Sequence, residues 1–142
     1  DTFSGILQSS RVILAACFLD ISRFNHASII ENLFQSLVHK KIWEYCREKI
    51  QSNNKPILGA LMSGDNDEIK QEIFEIETVM QYLDSLDDPV SVFNEKLNFL
   101  ERSLLDNERI DTIDKIMSER DPQKRKELNI RLNKILDAIK RR

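Results

Sequence analysis

PVSVFNEKLNFLERSLLDNERIDTIDKIMSERDPQKRKELNIRLNKILDAIKRR, residues 89–142, decides the fold. Apolar residues stand at Phe93, Leu97, Leu100 and Leu104, resume at Ile110, Ile113 and Met117, and recur at Leu128, Leu132, Ile135 and Ile139. Steps of three and four place one apolar stripe along each of two helices. The charged turn Glu119-Arg120-Asp121-Pro122-Gln123 separates them, so the stripes face each other in an antiparallel hairpin. Leu104 to Ile110 is a six-residue step where a continuing stripe places seven. The apolar face therefore shifts at Asp106-Asn107-Glu108-Arg109, as a hinge or as a shifted face within a rigid helix. The hairpin is expected to leave the body there. A lone two-helix hairpin has little core, which suggests a chain built to dock onto a partner.

Upstream, the same spacing predicts more helices. Ser9-Ser10 can cap one running to about Asp20, with Val12, Ile13, Ala16, Cys17 and Leu19 inward. Asn25 or Ser28 starts a short helix carrying Ile29, Ile30, Leu33 and Phe34. Ser36 caps Leu37 to Ile50, with Val38, Ile42, Tyr45, Cys46 and the Lys49 stem inward and Trp43 beside them. Ser52-Asn53-Asn54-Lys55-Pro56 breaks the chain before a short helix, Ile57 to Met62. Asp65-Asn66-Asp67 restarts it for Glu68 to Leu83, and Asp88-Pro89 opens the terminal pair. No strand alternation persists over a useful length. The reading is all-α, with seven or eight helices: a multi-helix bundle over 1–105, then the hairpin over 106–142.

Composition narrows the function classes. The 142 residues suit one domain, or a domain with an appendage, and three Gly and three Pro argue against an all-β fold. No apolar run approaches the ~20 residues that cross a bilayer, and no secretory signal is present. The first residue is Asp1, so a fragment of a longer protein is expected. Cys17 and Cys46 both sit in helical apolar patterns and read as buried free thiols, which places the chain in a reducing cytoplasm. The net charge of −3 is uneven: residues 106–142 hold eleven Lys/Arg and eight Asp/Glu, +3, leaving −6 for 1–105. That basic excess is too weak for a nucleic-acid footprint.

Chemistry-bearing patterns are sparse. There is no Gly-rich phosphate loop, no paired-glycine dinucleotide turn and no metal-ligand cluster, so no cofactor or metal is expected. His26 and His39 stand thirteen apart, which suits no zinc helix. His39 reads as a helix-surface or core-edge residue. Cys46, seven residues on, could share its face, but no orienting carboxylate or oxyanion site is legible. Asp65, Asp67 and Glu68 are explained by helix capping. The cations Lys140-Arg141-Arg142 suit a helix C-terminus, whereas Lys124-Arg125-Lys126 oppose the dipole in a first turn and suggest an acidic partner surface.

Ile116, Ile130 and Leu136 lie outside the hairpin stripes. On an isolated hairpin they would be partly exposed and bordered by charge, a mark of a protein interface. The candidate partner-binding residues are Ile113, Ile116, Arg120, Lys124, Lys126, Ile130, Arg131 and Lys134. Apolar members would supply burial, and cations would set orientation and encounter rate.

Ser10-Arg11-Val12-Ile13-Leu14-Ala15-Ala16-Cys17-Phe18-Leu19-Asp20 resembles the opening helix of the C-terminal, helicase-binding domain of bacterial DNA primase. Leu33-Phe34-Gln35-Ser36-Leu37-Val38-His39-Lys40-Lys41-Ile42-Trp43 is similar to that family's short helix, Phe, break, His and Ile-aromatic stretch. The ending, with Asp121-Pro122 between a long helix and a charged Leu-rich one, matches as well. The resemblance implies a helical bundle followed by a hairpin that contacts the N-terminal domains of the hexameric replicative helicase. The bundle would modulate helicase activity and primer synthesis. The zinc-binding and polymerising domains of a primase are not in this chain, so it would make no primer by itself. The N-terminal domain of the replicative helicase shares the fold, the opening helix and the His-Ile pattern, and is the alternative, an oligomerising collar. A small nucleic-acid-binding helical module using the basic tail is a further alternative.

Overall fold

The computed structural model describes residues 2–19 and 24–142. Among them all regular structure is helical and no strand occurs. Six α-helices run α1 (Thr2–Phe18), α2 (Leu37–Gln51), α3 (Leu58–Met62), α4 (Asp67–Asp84), α5 (Pro89–Ser118) and α6 (Pro122–Lys140), with one 3-10 turn at His26–Ser28. The chain divides into two compact units, Asp1–Leu100 and Glu101–Arg142. The sequence had placed that boundary after Leu105.

The first unit is organised on α1. Every residue from Val12 to Phe18 is buried, so this helix is apolar all round and lies inside the bundle. It packs against α4 and α2, while α3 packs on α4. Ile13, Leu14, Phe34, Ile42, Ile73, Ile76, Leu83 and Phe93 form one contiguous core with it. Burying each such side chain is worth about 1.5–3 kcal/mol. Where α5 crosses α1, a Cβ on Gly5 would lie 3.2 Å from the Phe99 ring, so glycine lets the two helices approach.

Helix α1 begins at Thr2, not at Ser9-Ser10. Both serines lie within the helix and are buried at 3% and 1% exposure. Their small side chains fit a crowded interior, and this removes them as caps. The short helix expected to carry Ile29, Ile30, Leu33 and Phe34 does not form. Only His26–Ser28 turns, and residues 29–36 are irregular, with Leu33 and Phe34 inserted into the core. Leu19 is half-buried, while Asp20, where the first helix was expected to end, lies outside the described residues.

Ser36 and Asp88 cap as the sequence suggests, Asn66 caps α4 in place of its neighbouring aspartates, and α3 opens at Ile57 rather than after Asn54, with no side-chain cap. Ser36 Oγ accepts from the His39 amide at 3.4 Å, Asn66 Oδ1 from the Ile69 amide at 3.2 Å and Asp88 Oδ1 from the Ser91 amide at 3.2 Å. Asp67 and Glu68 sit in the first turn of α4, where the dipole favours carboxylates. Helix α2 stops because Asn53 takes a left-handed φ of 58°. The amides of Asn53 and Asn54 then bond back to the carbonyls of Ile50 and Lys49 at 3.1 and 2.8 Å. Asn66→Ala is expected to destabilise the first unit by about 1 kcal/mol. The check is the urea midpoint read by fluorescence of Trp43, the one tryptophan of the chain.

The second unit is a helical hairpin. Asp121 caps α6 through the Gln123 amide at 3.0 Å, and Pro122 occupies the first turn. An ion pair between Arg142 and Glu101 ties the end of α6 back to the start of this unit, so the two helices run antiparallel. Glu101, Thr112 and Ile135 are its buried residues, with Leu128 and Leu132 half-buried.

Candidate functional site

The stripe assigned from sequence to the inner face of α5 is displaced. Ile110 is 51% and Met117 80% exposed, whereas Thr112 is buried and Ile113 and Ile116 are half-buried. At about 100° per residue, Ile110 and Met117 lie roughly 140–160° around the helix from Thr112, on its outer face. Ile116 lies only about 40° from Thr112 and turns inward. The roles given to Ile116 and Met117 are therefore exchanged. Thr112 can sit inside because its hydroxyl donates to the Glu108 carbonyl at 2.7 Å.

Helix α6 keeps its stripe, and its other faces separate the candidate residues. Lys124 and Arg131 border a groove of about 500 Å³ with Lys115, Ser118, Glu119, Glu127 and Leu128. Lys126, Ile130 and Lys134 stand four residues apart on the outer face, and all three are exposed. Ile130 is 51% exposed, an apolar centre with a cation one turn to either side. Arg120 is exposed in the turn. The eight residues thus fall into a groove wall, an outer stripe, the turn and a half-buried pair, rather than one patch.

The basic first turn of α6 is partly explained within the hairpin. The Arg125 guanidinium donates through Nε and Nη2 to the Glu119 carbonyl, at 3.1 and 2.5 Å. Glu119 lies just past the end of α5, where a cation complements the negative end of the dipole. Arg125 thus closes the preceding helix. Lys124 and Lys126 in the same turn are exposed.

The first unit holds a second candidate. Helices α1, α2 and α4 bring together Arg11, His39 and Glu72. Arg11 grips Glu72 with Nε to Oε2 and Nη2 to Oε1, both 2.8 Å, a bidentate pair. His39 Nε2 donates to Glu72 Oε2 at 2.5 Å. His39 is 1% exposed, so it is a core residue and not a helix-surface one. Burial pushes the Glu72 carboxyl up, but the hydrogen bonds from His39 and Arg11 outweigh it and hold the group at about 2. Glu75 stands 3.9 Å from Arg11 on the rim.

The cluster floors a cleft of about 310 Å³ lined by Leu7, Ser36, Val38, Glu68, Gln71 and Glu75 besides Arg11, His39 and Glu72. A second cavity of about 300 Å³ shares Leu7, Ser36 and His39 and adds Ile6, Ser10 and Gln35. His39 Nδ1 is buried without a hydrogen-bond partner. Trp43 Nε1 is likewise unpaired but lines neither cavity. Chemically the arrangement fixes an imidazole by a carboxylate and leaves its other nitrogen buried and unpaired. Neither the Ser10 nor the Ser36 hydroxyl reaches that nitrogen.

No family model, curated protein or solved structure matches this chain.

Cys46, which shares a helix face with His39, instead pairs with Cys17, and both thiols are buried and free of disulfide. Among the described residues no group of three or more His, Cys, Asp or Glu is placed to hold a metal, and no helix is long and apolar enough to cross a membrane. The His39–Glu72 pair was missed because the partners are thirty-three residues apart and meet only through the packing of α2 on α4. The one signal available was a histidine one turn inside a helix whose other inward positions are apolar.

Proposed function

We propose that this chain is the protein-interaction domain of a bacterial DNA primase, which binds the N-terminal domains of the hexameric replicative helicase and recruits primase to the fork. The reading rests on the quoted primase-like stretches together with one geometric observation. The hairpin carries an exposed Lys126–Ile130–Lys134 stripe, an apolar residue between two cations, on a helix face that its own partner helix leaves open. Ile130 would supply burial at the contact. Lys126 and Lys134 would orient an acidic helicase surface and speed encounter. Arg120, Lys124 and Arg131 would border the contact, while Ile113 and Ile116 would support α5 from within. The chain itself would bind, and the parent enzyme's catalytic domain would make the primers, in the bacterial cytoplasm. Neither a cofactor nor direct nucleic-acid contact is part of the proposal.

Ile130→Asp is expected to weaken helicase binding by about 100-fold, the scale of losing a central apolar anchor, with helical content unchanged. Calorimetric titration of the 142-residue chain against the helicase N-terminal domain, alongside far-UV circular dichroism of the variant, reads both quantities. Unchanged affinity would remove Ile130 from the interface. Failure of the unsubstituted chain to bind, together with its self-association in sedimentation, would favour the collar reading.

A further inference from the structure

We propose that the two outer edges of the hairpin bind each other between copies of this chain, the α5 edge of one copy against the α6 edge of the next. On α5, Ile110 stands between Asp106 and Asp114, four residues to either side. On α6, Ile130 stands in the same way between Lys126 and Lys134. At about 100° per residue, each charged group lies within roughly 40° of its isoleucine, one turn away on the same face. Ile130 itself lies about 140° around α6 from the buried Ile135, so this face is an outer one. Ile110 and Ile130 are each 51% exposed. Asp114, Lys126 and Lys134 are exposed, and Asp106 is half-buried with its carboxylate 4.0 Å from Arg109. The well-exposed Met117 extends the α5 strip by two turns.

Charge names the occupant. Two α5 edges would set carboxylates against carboxylates, and two α6 edges ammonium groups against ammonium groups, so like edges repel. Unlike edges match residue for residue. With the helices antiparallel, Ile110 meets Ile130, Asp106 meets Lys134 and Asp114 meets Lys126. Met117 then falls by Gln123, while Asp137, two turns past Ile130 on its face, falls by Ser103 beside Arg102. A parallel pairing would press Met117 onto Asp137 and desolvate a carboxylate with no partner, which selects the antiparallel register. A second copy thus carries the complementary surface in its own sequence. A contact between unlike edges leaves one edge of each kind free at the ends, so association continues past a dimer to a ring or a filament. One helix pair over a few turns buries little area, so each contact is weak. The contact covers Ile130 and would compete with helicase on that reading, but the inference does not rest on it.

Sedimentation of the 142-residue chain from about 10 µM to about 1 mM tests the contact. The expected result is a mean mass that climbs past that of two copies and falls when salt is raised, because the bordering ion pairs are open to solvent. The Asp106→Lys/Asp114→Lys variant has two basic edges, and Lys126→Glu/Lys134→Glu has two acidic ones. Each alone should stay monomeric, with native helical content by circular dichroism. Mixed in equal amounts they should associate again, the two kinds alternating. Ile110→Ala, which changes no charge, should weaken association about tenfold. A native chain that is monomeric throughout, self-association of either charge variant alone, or a mixture that stays monomeric would overturn the assignment. Helicase binding is titrated separately, at chain concentrations low enough to keep the copies apart, so the two proposals can fail independently.

Discussion

Glu72→Gln is expected to lower the stability of the first unit by about 3 kcal/mol at pH 7, because it removes one member of a largely buried charge cluster and strands Arg11. The Arg11 and Glu72 side chains are 14% and 12% exposed, so solvent screens them little. The pH dependence separates this cause from simple loss of packing. Glu72 titrates at about 2 in the folded protein against an ordinary 4.5. A depressed carboxylate stabilises above its unfolded value, and that stabilisation is lost as pH falls through the folded one. The native chain should therefore lose about 3 kcal/mol between roughly pH 5 and pH 2 from this group alone. The variant should lack that component, so the two stability curves converge near pH 2. Urea midpoints from Trp43 fluorescence across this range make the measurement. Parallel curves would mean that the ionised carboxylate contributes nothing and only its volume matters.

Phe93→Ala is expected to cost about 4 kcal/mol, within the range for emptying a buried aromatic site. Phe93 has no exposed surface, and its ring centroid lies 5.2 Å from Phe24 and 6.5 Å from His26. The neighbours are held in place, His26 by the contact of its Nε2 with the Ala16 carbonyl at 3.3 Å, so they cannot easily collapse into the space. Phe74→Ala provides the contrast: at 59% exposure it should cost less than about 1 kcal/mol. Equal losses in the two variants would count against burial as the source of the difference.

The sequence was most legible where a cap and a stripe agreed. Ser36 and Asp88 each open a helix as their side chains suggest, and the stripes of α2, α4 and α6 follow, with Asn66 and Asp121 as the caps of the last two. It misled where a single cue carried the reading. Ser9-Ser10 has the chemistry of a cap, yet it lies inside a buried helix, where small size matters more than hydrogen bonding. Ile29, Ile30, Leu33 and Phe34 have helical spacing, yet so short a run serves equally well to pin an irregular segment to a core. On α5 the apolar count favoured Ile110 and Met117 as the inner residues. The helix instead turns Thr112 inward, since its hydroxyl satisfies itself on its own backbone. Among the candidate residues, exposure of Ile130 followed from its place off the stripe. The Arg125 contact with the Glu119 carbonyl did not, because it depends on how the turn folds back. The Arg11–Glu72–His39 cleft could not be read at all, since its members are brought together only by three-helix packing.

The two cysteines have a practical consequence. Cys17 and Cys46 are fully buried on α1 and α2, and their mutual hydrogen bond, followed by burial, pushes the Cys17 thiol well above its ordinary value. A maleimide added to the native chain at neutral pH therefore meets no reactive sulfur until the first unit opens. The rate of alkylation becomes a clock for that opening, blind to fraying of the hairpin, which has no cysteine. A probe cysteine placed on the outer face of α6 could be labelled selectively, with both native thiols left in place.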